Sequence, residues 1–173
     1  MRRPLRAEVS QEIGRPVGEV FTALCEAETW PAWTRSAGQV DVEPAGPIRG
    51  GSVVNVARRG VGVLRTRSWH VTDLRPDRLI ALEEDGGQRR FWLHLEPALD
   101  KTRVTARVEL PSRGAIPFLK RRGEESSLRG DLRRLKALLE APGGVAALTP
   151  SRPTLLDTDT APITSLENAR RSR

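Results

Sequence analysis

The chain has 173 residues, a length that suits one domain with a tail and that can bury a core without disulfides or bound metal ions. Its single cysteine, Cys25, excludes an intramolecular disulfide, and no cluster of cysteine and histidine has the spacing of a zinc site. No stretch approaches the roughly 18 to 20 apolar residues of a membrane span, and the sequence opens without the apolar run of a signal peptide. We therefore predict a cytoplasmic protein with no metal or other cofactor.

The charge is strongly positive, with a formal net charge of +7 and a pI near 11.0. Such a balance invites a nucleic-acid or anionic-membrane interpretation. Only Lys101, Lys120 and Lys136 are lysines among the 29 basic residues, and the arginines are scattered in ones and twos. This scatter argues against a nucleic-acid partner and leaves peripheral contact with acidic lipid open.

The first elements are a strand and two short helices. Residues 6–13 alternate with period two, which is typical of a half-buried strand. Pro16 then stands where a helix begins, with apolar residues following at helical spacing. Trp30 and Trp33 predict a second helical turn. Trp33 lies either in the core with Trp30 or at the mouth of a cavity.

The middle of the chain predicts six further strands, separated by turns rich in glycine, proline and aspartate. The strand over residues 61–72 is ambiguous. Either Arg65 and Arg67 point to the same side as Trp69, or a bulge switches the faces partway along. In the strand over 88–96, Phe91 and Leu93 belong to an apolar face. No strand is followed by a crossover helix, so the sheet should be antiparallel.

The last element is a long amphipathic helix over residues 116–140. Leu128, Leu132, Leu135 and Leu139 recur at steps of four, three and four, which predicts one buried stripe. The stretch from Phe118 to Gly123 has a looser periodicity and is a candidate cavity wall or gate. Residues 142–144 end the helix, and the remaining residues are typical of a disordered tail.

Several motifs together resemble one known superfamily. They are Pro-Val-Gly-Glu-Val-Phe at 16–21, Trp-Pro-Ala-Trp at 30–33, Trp-His-Val-Thr at 69–72, Phe-Trp-Leu-His-Leu-Glu-Pro at 91–97, Thr-Arg-Val-Thr at 102–105 and the helix 131–140. In order and spacing the chain resembles the START-like (SRPBCC) superfamily of polyketide cyclases/dehydrases and lipid-transport proteins, with its Bet v 1-like fold.

The resemblance implies an α+β helix-grip fold. A curved antiparallel sheet of about seven strands would wrap around the long C-terminal helix, with two short helices after strand one. The expected organisation is an N-terminal arm over 1–5, the helix-grip domain over 6–141 and a tail over 142–173. An apolar cavity would lie between the sheet and the last helix.

The first functional hypothesis is binding or carriage of a hydrophobic small molecule or lipid in that cavity. Arg65 and Arg67 would add positive charge suited to a carboxylate, phosphate or enolate, unless they belong to a solvated strand face. The predicted cavity residues are Trp33, Arg65, Arg67, Trp69, Phe91, Leu93, Phe118 and Leu119.

Two alternatives stay open. One is a polyketide cyclase or aromatase, in which an arginine or histidine assists enolisation and dehydration. The absence of tyrosine from the chain argues against this reaction. The other is a membrane-surface or protein-interaction module that uses Arg129, Arg133 and Lys136. The sequence identifies no catalytic residue.

Overall fold

The structure is a computed structural model that describes residues 4–59, 64–111 and 117–144. Within these ranges the strands are β1 (Leu5–Ile13), β2 (Gln39–Glu43), β3 (Val53–Arg59), β4 (Leu64–Arg75), β5 (Leu79–Glu84), β6 (Arg90–Ala98) and β7 (Lys101–Leu110). They form one antiparallel sheet in the order β1-β7-β6-β5-β4-β3-β2.

The helices stand where the sequence predicts them. The segment between β1 and β2 contains α1 (Val17–Cys25), a 3₁₀ turn (Ala27–Thr29) and α2 (Trp30–Trp33), and α3 (Pro117–Glu140) follows β7. The predicted helix-grip fold is confirmed. None of the helices in the described ranges has the length and apolar character that crossing a membrane requires.

The two faces of the sheet differ in chemistry because side chains alternate along each strand. On the face towards α3, here called the inner face, Ala7, Val104, Ala106 and Leu93 are almost fully buried. The opposite, outer face has cross-strand ion pairs, such as that between Arg103 and Glu12 at 3.0 Å. The core therefore lies between the inner face and the helices.

The ambiguous fourth strand contains a bulge, but not among its arginines. The register between β4 and β5 shifts between Val71 and Asp73. Arg65, Arg67, Trp69 and Val71 precede the shift, and they alternate without interruption, so they share the inner face. The extra residue also lets β4 continue to Arg75, beyond the predicted end of the strand at residue 72.

The C-terminal half of α3 packs on the sheet. Leu132, Leu135 and Leu139 are buried, as the stripe predicts. Two contacts from the β1–α1 turn hold the end of this helix. The backbone N–H of Gly14 donates to Glu140 Oε1 at 2.6 Å, and Arg15 Nε donates to the carbonyl of Leu139 at 2.8 Å. The helix end is thus fixed to the first strand.

The carboxylate of Glu140 also accepts a hydrogen bond from Lys136 Nζ at 2.5 Å. This bond and the one from the Gly14 N–H favour the ionised form, so they lower the pKa of Glu140 below its ordinary value. The N-terminal arm, residue 116 at the predicted helix start and the predicted tail beyond residue 144 lie wholly or mostly outside the described residues. The predicted domain boundaries therefore stay predictions.

Candidate functional site

The inner face changes from apolar to charged towards one end of the sheet. Pairing across β3, β4 and β5 places Val54, Trp69 and Glu84 in one row. In the next row Val56 lies opposite Arg67, and in the row beyond it Arg58 lies opposite Arg65. Along the inner face, the side chains therefore change from valine and tryptophan to arginine.

A pocket of about 350 Å³ opens at this charged end, between the sheet and the first turns of α3. We call it the charged pocket. It is more open to solvent than enclosed. The residues that line it are Arg67, Glu84, Asp85, Gln88, Arg89, Leu110, Pro111 and Lys120.

An ion pair forms one wall of the charged pocket. Arg67 Nη1 donates to Glu84 Oε1 at 2.7 Å, and the Glu84 side chain is 13% exposed whereas that of Arg67 is 48% exposed. The carboxylate thus lies deeper than its partner. It holds the guanidinium in place while leaving part of it open to a ligand.

A second ion pair joins the sheet to the helix across the pocket. Arg89, in the β5–β6 hairpin, donates from Nη2 to Glu124 Oε1 of α3 at 2.8 Å. Arg89 Nε is buried and has no hydrogen-bond partner among the described residues. A buried donor without a partner is costly, and a ligand acceptor would reach this N–H only after a shift of the Arg89 side chain.

Apolar surface adjoins the charged pocket. Trp69 and Phe91 are partly buried and pack against the core. Trp69 lies directly opposite Glu84, and Phe91 is two residues from Arg89 on the inner face. Neither ring lines the charged pocket, but both lie on the same face of the sheet as its charged groups.

The other predicted cavity residues lie elsewhere. Trp33 is buried against Trp30, with ring centroids 6.4 Å apart, and Leu93 is almost fully buried in the core. Phe118 and Leu119 are 60% and 64% exposed at the start of α3. The structure thus brings Arg67, Trp69 and Phe91 to one end of the inner face, with Arg65 beyond them.

Neither histidine lies on the inner face. His70 adjoins the inward Val71, and its Nε2 is 4.0 Å from Asp85 Oδ1, while His94 adjoins the inward Leu93 and Leu95. Side-chain alternation places both rings on the outer face. The candidate proton-transfer groups that line the charged pocket are therefore its carboxylates and Lys120.

The sequence alone did not indicate Glu84, Arg89 and Glu124. Glu84 stands just before the glycine hairpin, and Arg89 just after it, where a charge is ordinarily read as a solvated turn residue. The hairpin residues come close to Glu124 only because of the way α3 crosses the sheet. The only local signal is that Glu84 continues the inward alternation of Ile80 and Leu82.

A buried polar cluster holds α3 against the segment after α2. Asp131 accepts from the Arg35 N–H at 3.2 Å and from Arg134 Nη2, and Arg134 Nε donates to the carbonyl of Trp33 at 2.8 Å. Burial raises the pKa of Asp131, and its hydrogen bonds and Arg134 only partly oppose this. This cluster lies apart from the charged pocket residues.

Cys25 is buried at the end of α1. Burial raises the pKa of its thiol to about 12, and the charges of Glu26 and Asp77 add to the effect. Because the thiolate is the reactive form, burial disfavours reaction at this cysteine, whose side chain packs in the core.

The fold defines the class: a helix-grip protein of the Bet v 1 type. Residues 4–140 match the sequence profile of the polyketide cyclase/dehydrase and lipid transport family. The chain belongs to this family. No curated protein sequence matches it.

Solved structures share the fold at low identity. The di-domain ARO/CYC StfQ from the steffimycin biosynthetic pathway aligns with a TM-score of 0.62 and 16% identity, over 78% of this chain and 50% of that one. Ara h 8.0201 aligns with a TM-score of 0.60 and 13% identity, over 78% of this chain and 97% of that one. TTHA0849 from Thermus thermophilus aligns with a TM-score of 0.61 and 11% identity, over 83% of this chain and 99% of that one. The chain thus spans half the length of StfQ, and these likenesses concern the fold alone.

Proposed function

We propose that the protein binds a hydrophobic small molecule whose polar end carries a carboxylate, enolate or carbonyl group. The apolar body would pack on Trp69 and Phe91, and the polar end would face Arg67 and Arg89 in the charged pocket. Family membership supports a ligand-binding or cyclase role at this coarse level. The observation that carries the proposal is the charged pocket beside these two aromatic side chains.

The arginines favour an anionic or electron-rich group over a purely apolar ligand. Arg58 and Arg65 are exposed and lie directly opposite each other, and like charges in this arrangement destabilise a sheet. A bound anion would offset that repulsion. The buried Nε of Arg89 would gain the acceptor that it lacks among the described residues.

Apolar burial would supply most of the affinity. Burial contributes about 25 cal/mol per Å², before the cost of association is subtracted. A planar guanidinium adds orientation, because its N–H groups donate in a fixed geometry to a carboxylate. The ligand would therefore enter with its polar end towards α3.

An anilinonaphthalene sulfonate probe, which joins an apolar body to an anion, tests the proposal by fluorescence titration. We expect saturable binding to the folded protein. The double variant Arg67→Gln, Glu84→Gln removes the ion pair without changing net charge, and it should weaken binding about tenfold, the size of one charged hydrogen bond.

The matched control is Arg103→Gln, Glu12→Gln, which removes a half-exposed ion pair from the outer face. It should bind the probe as the unaltered chain does. Equal binding by both double variants, each shown to be folded by its unfolding transition, would contradict the proposed position of the ligand.

A second candidate function is cyclase or dehydrase chemistry on a β-keto chain, which the position of Glu84 favours. Its carboxylate lines the charged pocket 2.7 Å from Arg67. A carboxylate can accept a proton from a carbon between two carbonyls, while an arginine stabilises the developing enolate. Glu84 would then act as the base and Arg67 or Arg89 as the oxyanion donor.

Deuterium exchange at the central carbon of a β-diketone, followed by NMR, tests this second function. The protein should accelerate exchange above the buffer rate, and Glu84→Gln should abolish the acceleration. No acceleration by a protein that still binds the sulfonate probe would leave binding without catalysis as the function.

A further inference from the structure

The side of α3 that faces away from the core has a pattern of its own. Phe118, Leu119, Arg122, Arg129 and Arg133 are exposed, whereas the four leucines of the stripe are buried. At 3.6 residues per turn, the three arginines, seven and four residues apart, follow one line. We call these five residues the outward face of α3. Between Phe118 and Arg133 it extends over roughly 22 Å.

The apolar end of the outward face is unusual for a solvated helix. Phe118 and Leu119 are adjacent and more than half exposed, and the only other exposed large apolar side chain among the described residues is Leu99. The guanidinium of Arg122 lies 5.0 Å from the centre of the Phe118 ring. Adjacent exposed apolar residues beside cations are typical of an interaction surface.

The acids near the helix start are paired with basic residues outside the outward face. Glu124 reaches towards the sheet to pair with Arg89, and Glu125 pairs with Arg121 at 2.7 Å. Glu140, seven residues after Arg133 on the same line of the helix, pairs with Lys136 at 2.5 Å. The charge of the outward face is therefore complementary to an anionic surface that also accepts apolar side chains.

We propose that the outward face of α3 binds the surface of an acidic lipid bilayer. Phe118 and Leu119 enter the interfacial layer, and Arg122, Arg129 and Arg133 lie against the lipid phosphates. The exposed apolar pair favours lipid over nucleic acid, because a phosphate backbone offers no apolar layer in which to bury the two side chains.

Co-sedimentation with vesicles tests this docking in the full chain. We expect binding to vesicles of phosphatidylcholine with phosphatidylglycerol, weak binding to phosphatidylcholine alone, and weaker binding at high salt. The triple variant Arg122→Gln, Arg129→Gln, Arg133→Gln should lower the partition coefficient roughly 100-fold, since each cation contributes about a factor of five.

A matched control distinguishes binding through the outward face from general electrostatic attraction between a basic chain and acidic vesicles. Arg6→Gln, Arg103→Gln, Arg107→Gln removes the same charge from the outer face of the sheet, where each arginine pairs with a glutamate. It should bind vesicles more tightly than the outward-face variant. Equal losses from both triple variants would overturn the proposal.

The apolar pair has its own test. Phe118→Ser, Leu119→Ser should lower binding to acidic vesicles by about tenfold or more, whereas Leu99→Asn, at an exposed turn with φ of 59°, should leave it unchanged. Vesicle binding that is insensitive to the serine pair would overturn the proposal. The proposal would also be overturned if duplex DNA displaced the unaltered protein from vesicles and bound the Phe118→Ser, Leu119→Ser variant equally well. The partner would then be a nucleic acid.

Discussion

Leu135→Ala and Phe118→Ala should separate the two halves of α3. Leu135 has 0% of its surface exposed and lies in the stripe that packs against the sheet, whereas Phe118 is 60% exposed at the other end of the helix. Truncation of a buried leucine removes transfer free energy and leaves a cavity, at a cost of about 2 to 5 kcal/mol in well-packed cores. Because Leu135 is completely buried, we expect about 3 to 5 kcal/mol.

Phe118→Ala removes a ring that is mostly in water, so little apolar burial is lost. Its ring centre lies 5.0 Å from the Arg122 guanidinium, a cation–π arrangement worth about 0.5 to 1 kcal/mol at an exposed site. Alanine also has the higher helix propensity. We therefore expect a change within about 1 kcal/mol.

Urea unfolding followed by tryptophan fluorescence measures both variants. Trp30 and Trp33 are buried near α3 and report loss of the core. The midpoint should fall sharply for Leu135→Ala at an unchanged slope, and barely for Phe118→Ala. Equal losses of stability would refute the division of α3 into a packed half and an exposed half.

Three further expectations concern single groups. Burial raises the pKa of Asp131, so the stability of the wild type relative to Asp131→Asn should increase as pH falls through that raised pKa. Hydrogen bonds lower the pKa of Glu140, so the wild type should be more stable than Glu140→Gln at neutral pH. This difference in stability should vanish as pH falls through the lowered pKa. Urea midpoints measured across acidic pH check the direction of both changes. Gly123→Ala should stabilise by about 0.5 to 1 kcal/mol, because a Cβ there meets nothing within 4 Å, and a destabilised variant would contradict this.

Much of the fold could be predicted because periodicity reports which side of an element is buried. The strand alternation and the leucine stripe depend only on neighbouring positions, and the lack of crossover helices favours an antiparallel sheet. The pairing of β1 with β7, which joins the two ends of the domain, was not predicted. The bulge after Val71 could not be located in this way. A bulge adds one residue without changing composition, so the face of Arg65 and Arg67 was fixed only by the pairing of β4 with β3 and by the position of the shift after Val71.

The site was harder to predict than the fold because its members meet across elements. Arg67, Trp69 and Phe91 were candidates for the cavity; Arg67 lines the charged pocket, and Trp69 and Phe91 share its face of the sheet. Glu84 and Glu124 acquire their roles only when the hairpin approaches α3. Residues at helix starts are equally ambiguous, since an apolar residue such as Phe118 suits a cavity wall or an external surface equally well.

Native mass spectrometry of the protein purified gently from its own host tests the proposed ligand site most directly. We expect the chain to retain a small molecule with an apolar body and an acidic or carbonyl group. The Arg67→Gln, Glu84→Gln variant should lose that molecule, and the Arg103→Gln, Glu12→Gln variant should keep it. A chain detected only at its bare mass, or a ligand retained equally by both variants, would contradict a site in the charged pocket.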